Sequence, residues 1–345
     1  MNPTFSIIMT SYNYAPYIAA AIESVLCQTF EDWEMVIIDD CSHDCSWEII
    51  EKYRDPRISV HRQLVNQGAC AAYNRGFSLA QGENIACLDS DDVFMPCKLA
   101  RQAEFLVDHP EVDICGTFVT EIDRGGLAKS QGNPFADWFN ALVDLNDPAT
   151  WLWENHLCHS GSVIRRKCHA RIGEFDNHLV YTPDWQFWLR ALLSGARFEV
   201  IDEPLVGYRN HGNNITDRNV AQAILEHAET AASILLPWLR AQGRRDLIDK
   251  TLLGFLTHPA VVSENALQDG LEQRLLVGSA LDVTAAAIMR LAIRFQTELF
   301  AKEAYVLDVR EGKDWLESEW KATKAELLAK DAQLAAVLAG TERDE

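Results

Sequence analysis

Glu83 to Asp92, "ENIACLDSDD", decides the fold: an apolar run closed by Asp89, Asp91 and Asp92. A short apolar run that breaks off into polar residues reads as a buried strand of a parallel sheet. Three segments upstream read the same way: "FSIIM" (5 to 9), "EMVIID" (34 to 39) and "RISVHR" (57 to 62). Between them the apolar spacing turns helical. Ile18, Ile22, Val25 and Leu26 fall within 17 to 29, a short helix fits 47 to 53, and a third fits 69 to 80, closed by Gly82. Strand and helix in strict turn predict a parallel α/β sheet with right-handed crossovers.

Ligands of such sheets bind beyond the carboxyl ends of the strands. Those ends carry Thr10-Ser11-Tyr12-Asn13, Asp39-Asp40 and Asp89-Ser90-Asp91-Asp92, all converging on one edge. Three carboxylates so close raise one another's pKa unless a cation compensates them. Mg2+ or Mn2+ suits such oxygen ligands, with phosphate oxygens and water completing its shell. The cluster therefore reads as a metal diphosphate site; the plainer alternative is a solvated acidic turn ahead of Pro96. Gly68 opens a helix of small residues, where backbone can approach a ligand closely. Asn74 and Arg75 on that helix are placed to reach ribose or phosphate.

The chain has 345 residues, 48% of them hydrophobic, enough for two domains or one large domain with an appendage. Its net charge of −20 repels phosphate backbones and excludes nonspecific nucleic-acid binding. No apolar stretch reaches the roughly 18 residues of a membrane span. Nine cysteines without a CxxC pair read as free thiols. A cytoplasmic chain is expected, with peripheral attachment to the inner face of a membrane left open. "CSHDC" (41 to 45) and "HLCH" (156 to 159) match zinc knuckles poorly. After residue 217 the pattern becomes helical, through Ala221, Ile224, Leu225, Ala228, Ala232, Leu235 and Leu236 up to Pro237. Leu316, Trp320, Leu327, Leu334 and Leu338 form a stripe on a charged last helix, a candidate coiled coil. Residues 218 to 345 are thus expected to serve homo-oligomer assembly or partner docking, apart from a domain spanning 1 to 217.

"SIIMTSYNYAPYIAAAIESVLCQTFEDWEMVIIDDCSHD", followed by "NQGACAAYNRGFSLAQGENIACLDSDD", resembles the GT-A domain of family 2 glycosyltransferases over roughly residues 4 to 215. The resemblance implies a Rossmann-like, mostly parallel sheet with flanking helices, followed here by an all-helical region. It implies an inverting, metal-dependent enzyme that takes a sugar from a nucleotide-sugar donor. Thr10, Tyr12 and Asp40 would hold the nucleobase, Asp40 accepting from a ring N–H of uracil and Tyr12 lying against the base. Asp89 would take the ribose side, with Asn74 nearby, and Asp91 and Asp92 the metal and diphosphate. "YTPDWQFWLRALLSG" (181 to 195) resembles the segment carrying the base, which would be Asp184, although Pro183 stands where the family has glutamate. A helix N-cap is the competing reading of Asp184. "GYRNHGNNIT" (207 to 216) resembles the loop that closes over the donor, with His211 on the metal or diphosphate. "CHSGSVIRRK" (158 to 167) resembles the acceptor-side lining. Cys41, where glycine or asparagine is commoner, is expected to be harmless.

A pyrimidine donor follows from Asp40, UDP first and dTDP next, with a glycan or lipid-linked glycan of bacterial surface polysaccharide as acceptor. Two alternatives stand beside this reading. A sugar nucleotidyltransferase would carry a basic, glycine-rich loop after the first strand, but "TSYNYAPY" has no lysine, arginine or glycine. An inactive nucleotide-sugar scaffold would not need Asp91, Asp92 and Asp184.

Overall fold

The computed structural model describes residues 2–129, 134–212, 214–215 and 219–256. Two compact units divide the chain, Met1–Leu281 and Asp282–Glu345, and every described residue belongs to the first. The alternation read from the sequence is present: β1 (Phe5–Ser11), α1 (Ile18–Leu26), β2 (Trp33–Asp39), α2 (Ser46–Ile50), β3 (Ile58–Arg62), α3 (Ala69–Leu79) and β4 (Asn84–Asp89). These four strands pair in parallel, in the order β3-β2-β1-β4.

The second half of the sheet has no such alternation to announce it. β5 (Val93–Phe94), α4 (Lys98–Asp108), β6 (Ile114–Ile122), α5 (Pro134–Phe139), β7 (Val163–Arg165), α6 (Arg166–Ile172), α7 (Pro183–Leu193) and β8 (Phe198–Arg209) follow in chain order. They complete an eight-stranded sheet, β3-β2-β1-β4-β7-β6-β8-β5. Only β5 and β7 run antiparallel to the rest. The fold is therefore the expected mostly parallel α/β sheet of GT-A type.

β1, β2 and β4 are buried along almost their whole length, which is why they read as continuous apolar runs. α3 lies directly on β1: a Cβ on Gly76 would sit 2.4 Å from Cγ2 of Ile8. That close approach fixes the helix whose first turn lines the site.

Past residue 217 the same compact unit continues through helices Val220–Thr230, Leu236–Ala241 and Arg245–Leu256. Ala228, Leu235, Leu239 and Leu252 are fully enclosed. The first of these helices buries its apolar face within that unit. A widened turn at Ala231–Leu235 stands directly ahead of Pro237, whose ring lacks an N–H for the normal ladder. The stripe from Leu316 to Leu338 lies outside the described residues.

Candidate functional site

Sheet register gathers the strand ends. Thr10 lies opposite Ile38 on one side and Asp89 on the other, and Ser11 lies opposite Asp39. Asp40 is buried just beyond, its Oδ1 accepting from Gln63 Nε2 (2.7 Å) and the Gln67 N–H (2.9 Å), its Oδ2 from the Gly68 N–H (2.8 Å). The carboxylate expected to read a base therefore also fastens the loop into α3, with little acceptor capacity to spare.

Tyr12 is 40% exposed on the loop after β1, edge-on to His43 at 6.2 Å. Asn13 locks that loop to the one after β2: its Oδ1 accepts from the N–H groups of His43 (2.8 Å) and Asp44 (3.3 Å). Cys41 adopts a φ of +63°, so the expectation that it is harmless needs correcting. Only glycine, and to a degree asparagine, takes this left-handed conformation without steric cost.

The three carboxylates after β4 have separate fates. Asp89 accepts from the Tyr73 hydroxyl at 2.7 Å and Ser160 Oγ at 3.3 Å, and His159 Nδ1 lies 3.1 Å away. Burial would raise its pKa, but the charge and hydrogen bond of His159 outweigh that and hold it below the ordinary carboxylate value. Burial likewise disfavours charge on His159, yet the neighbouring Cys87 sulfur and the Asp89 carboxylate hold its pKa well above that of a free imidazole.

Asp91 Oδ2 lies 3.1 Å from His211 Nε2, and the His211 ring stacks on Tyr17 with centroids 5.0 Å apart. Asp92 is 1% exposed, and its Oδ1 accepts the Arg209 N–H at 2.8 Å. Burial pushes both carboxyls up, Asp92 further because Asp91 and Asp89 stand beside it. The sequence had paired Asp91 with Asp92 at the metal. Asp92, however, ties the turn to the end of β8 through the Arg209 N–H, while Asp91 meets His211. No group of three or more His, Cys, Asp or Glu among the described residues is arranged to hold a metal ion.

Asp184 occupies the first turn of α7, after Thr182 as N-cap and Pro183 in the first helical positions. The capping alternative is thereby corrected. Pro183 suits its place because its fixed φ is already helical and no N–H is needed there. Asp184 Oδ2 accepts from Asn155 Nδ2 at 2.6 Å. Burial raises its pKa above the ordinary value, with the charge of His159 opposing.

Asn74 does not reach towards a ribose. Its Nδ2 donates to the carbonyl of Phe175 (2.9 Å) and Asn177 Oδ1 (3.0 Å), and its Oδ1 accepts the Phe175 N–H (2.8 Å). It is buried, and it clamps α3 to the segment that leads to Asp184.

The profile of the glycosyl transferase family 2 matches residues 6–173. The putative colanic acid biosynthesis glycosyl transferase WcaA of Escherichia coli K12 is 44% identical over 225 residues, covering 61% of this chain and 74% of that one. The chain belongs to glycosyl transferase family 2. A second relative in the family is the Escherichia coli protein WfaP, a UDP-Glc:alpha-D-GlcNAc-diphosphoundecaprenol beta-1,3-glucosyltransferase. It is 41% identical over 219 residues, covering 64% of this chain and 82% of WfaP. The mannosyltransferase PcManGT of Pyrobaculum calidifontis, solved in complex with GDP-Man and Mn2+, shares the fold. Its TM-score is 0.53 at 18% identity, covering 97% of this chain and 88% of that one.

This glycosyltransferase carries site residues that the sequence reading passed over. Tyr73 and His159 hold Asp89, and their rings meet edge to face at 4.8 Å. Tyr73 lies one helical turn from Cys70 and from Phe77 on the buried face of α3, a spacing that marks it as inward-facing. His159 gives no such signal, since it sits in the return to β7, a strand of three residues. No helix among the described residues is long and apolar enough to cross a membrane.

Proposed function

We propose that this chain is an inverting transferase that moves a sugar from a UDP-sugar, with dTDP-sugar next, to a hydroxyl of a glycan or lipid-linked glycan in bacterial surface polysaccharide synthesis. The observation that carries this reading is a half-buried carboxyl, Asp184, bonded by Asn155 Nδ2 and with its pKa raised by desolvation, which stands on a different segment from the strand-end carboxylates while His159 influences both it and Asp89. Inversion needs that separation. The acceptor oxygen attacks the anomeric carbon, the bond to the diphosphate oxygen breaks on the opposite face, and Asp184 takes the acceptor proton. The nucleoside diphosphate leaves with the bonding pair.

Thr10, Tyr12 and Asp40 bound the nucleobase end, and the exposed ring of Tyr12 offers a face for stacking. Asp89 takes the ribose side. The remaining donors fit Mn2+ or Mg2+, because Asp91 supplies carboxylate oxygen and His211 imidazole nitrogen. A cation would relieve the crowding of Asp91 and Asp92, whose ionised forms are disfavoured by burial and by the neighbouring carboxylates, and Asp92 Oδ2 makes no hydrogen bond among the described residues. When bound, the ion offsets charge on the diphosphate. With so few protein ligands, that diphosphate supplies much of its shell. The helical region from 218 to 345 is assigned to assembly or partner docking, and a cytoplasmic setting suits the nine free cysteines.

Calorimetric titration of UDP, dTDP and GDP, each with Mn2+ or with EDTA, tests the reading. UDP should bind tightest and weaken about tenfold or more in EDTA, which is about 1.4 kcal/mol. Equal affinity in EDTA removes the ion from the site, and a preference for GDP removes the pyrimidine assignment.

A further inference from the structure

We propose that Glu226, on the helix Val220–Thr230, is a positioning residue that holds the loop Val180–Thr182 and thereby sets Asp184 in its working place. The inference rests on the reading of Asp184 as the base.

Three successive backbone donors converge on this one carboxylate. Oε2 accepts the Val180 N–H at 2.8 Å, and Oε1 accepts the N–H groups of Tyr181 at 2.7 Å and Thr182 at 2.6 Å. The Thr182 hydroxyl adds a fourth bond to Oε1 at 3.0 Å. Successive N–H groups that curl towards one point form a nest for an anion, and bonds from such a nest to a carboxylate are charge-assisted. Thr182 is the N-cap of α7, yet its side chain makes no bond to its own helix. Glu226 instead holds the three residues just ahead of the helix, the last of them two before Asp184.

Other side chains hold the segment ahead of this loop as well. The carbonyl of Leu179 is held by Cys70 Sγ at 3.2 Å, and Phe175 by Asn74. On the far side of Asp184 the buried ring of Trp185 meets His227, the neighbour of Glu226, with centroids 4.7 Å apart. Trp185 Nε1 donates to the carbonyl of Glu154 at 3.0 Å, one residue before the Asn155 that touches Asp184. Glu226 and His227 therefore grip the chain on both sides of the base. A helix that lies beyond the sequence-drawn domain boundary thus takes part in the chemistry.

The test is a double-mutant cycle on the full chain. UDP release is followed for the UDP-sugar that the wild type turns over fastest, with a GlcNAc-diphospholipid as acceptor and with water alone. Glu226→Ala should lower kcat about 10- to 100-fold, the scale of a misplaced reacting group, and leave donor KM within about twofold. In an Asp184→Asn background the same change should cost nothing further, because the group it positions is already gone. An equal proportional loss in that background would show a general packing role, and a kcat within about twofold of wild type in Glu226→Ala would show no role; either overturns the proposal. Near wild-type turnover in Asp184→Asn alone means that the base assignment itself has failed, and the positioning role falls with it. Glu226→Gln keeps the shape but offers one carbonyl oxygen for the nest. It carries the cycle if the alanine variant does not fold, and both variants should speed hydrogen exchange at the 180–182 amides.

Discussion

The strand-end edge and the segment leading to Asp184, which the proposed reaction would join as donor edge and base segment, are held in different ways in this glycosyltransferase. On the donor edge, Thr10 and Asp89 lie at the ends of β1 and β4 and Asp40 one residue past β2, and pairing between β1, β2 and β4 sets the places of those strand ends. The segment from Gly173 to Thr182 contains no strand or helix, and it is fixed by side chains from Asn74, Cys70 and Glu226. Sheet register places a residue through the backbone, and the side chains of Asp40 and Asp89 are then fixed further by the groups around them. A loop has no ladder, and its buried N–H and C=O groups must be met by side chains that are then lost to binding.

The sharpest way to break the comparison is at the base. Asp184→Asn keeps the hydrogen bond from Asn155, since an amide oxygen accepts as a carboxylate does. It removes the proton acceptor, and kcat should fall roughly 10² to 10⁴-fold. UDP affinity should stay within about twofold, because the base contacts the acceptor. The pH profile gives a second reading of the same group. A base works ionised, and burial raises the pKa of Asp184, so kcat/KM should be full above that raised value and fall as pH drops through it. This acid limb should lie above the ordinary carboxylate value and be absent from the asparagine variant.

Asn74 tests the division from the other side. As a donor-binding residue its loss would weaken UDP; as a clamp its loss should leave UDP affinity within about twofold and strike stability and turnover instead. Asn74→Ala leaves the buried N–H and carbonyl of Phe175 unpaired, a cost of about 1–3 kcal/mol. Denaturant unfolding and UDP calorimetry on the same variant decide the matter. A tenfold weaker Kd for UDP would return Asn74 to the donor site.

What could be read from the sequence follows the same divide. Strand–helix alternation exposed the first four strands, and the rule about strand ends then located Thr10, Asp40 and Asp89 without any contact being known. β7, three residues long, was beyond periodicity, so His159 and Ser160, in the turn ahead of it, could not be placed against Asp89. Asp91 and Asp92 looked equivalent as adjacent acids, and their difference depends on β8 arriving with Arg209 from 117 residues away. Glu226 looked like one more polar residue on an amphipathic helix, because its partners lie 44 to 46 residues upstream. Asn74 was placed on the correct helix but given the wrong neighbour, since nothing local shows which loop will cover α3.

The smallest effect is expected on the donor edge, at Cys41, where strain can be separated from binding. Asn13 and Cys41 both hold φ near +60°, at 62° and 63°, in the two loops that bound the nucleobase end. Asparagine tolerates that conformation better than most residues, and Asn13 is held besides by long-range bonds from the His43 and Asp44 N–H groups to its Oδ1. Cys41 has only a weak contact from its sulfur to the carbonyl of Leu64 at 3.6 Å. Its Cβ costs about 1–2 kcal/mol in the left-handed region. Cys41→Gly removes that strain but adds freedom to the unfolded chain, which takes back about 0.5–1 kcal/mol. A net gain of about 0.5–1 kcal/mol should remain, read as a rise of roughly 1–4 °C in Tm. Cys41→Val, branched at the strained position, should go the other way. UDP affinity should not change in either variant, because Asp40 is held by Gln63, Gln67 and Gly68 and not by its neighbour in sequence. A glycine variant that gains stability and loses UDP affinity would mean that the strain at Cys41 orients Asp40. The donor edge would then depend on its loops as much as the base segment does.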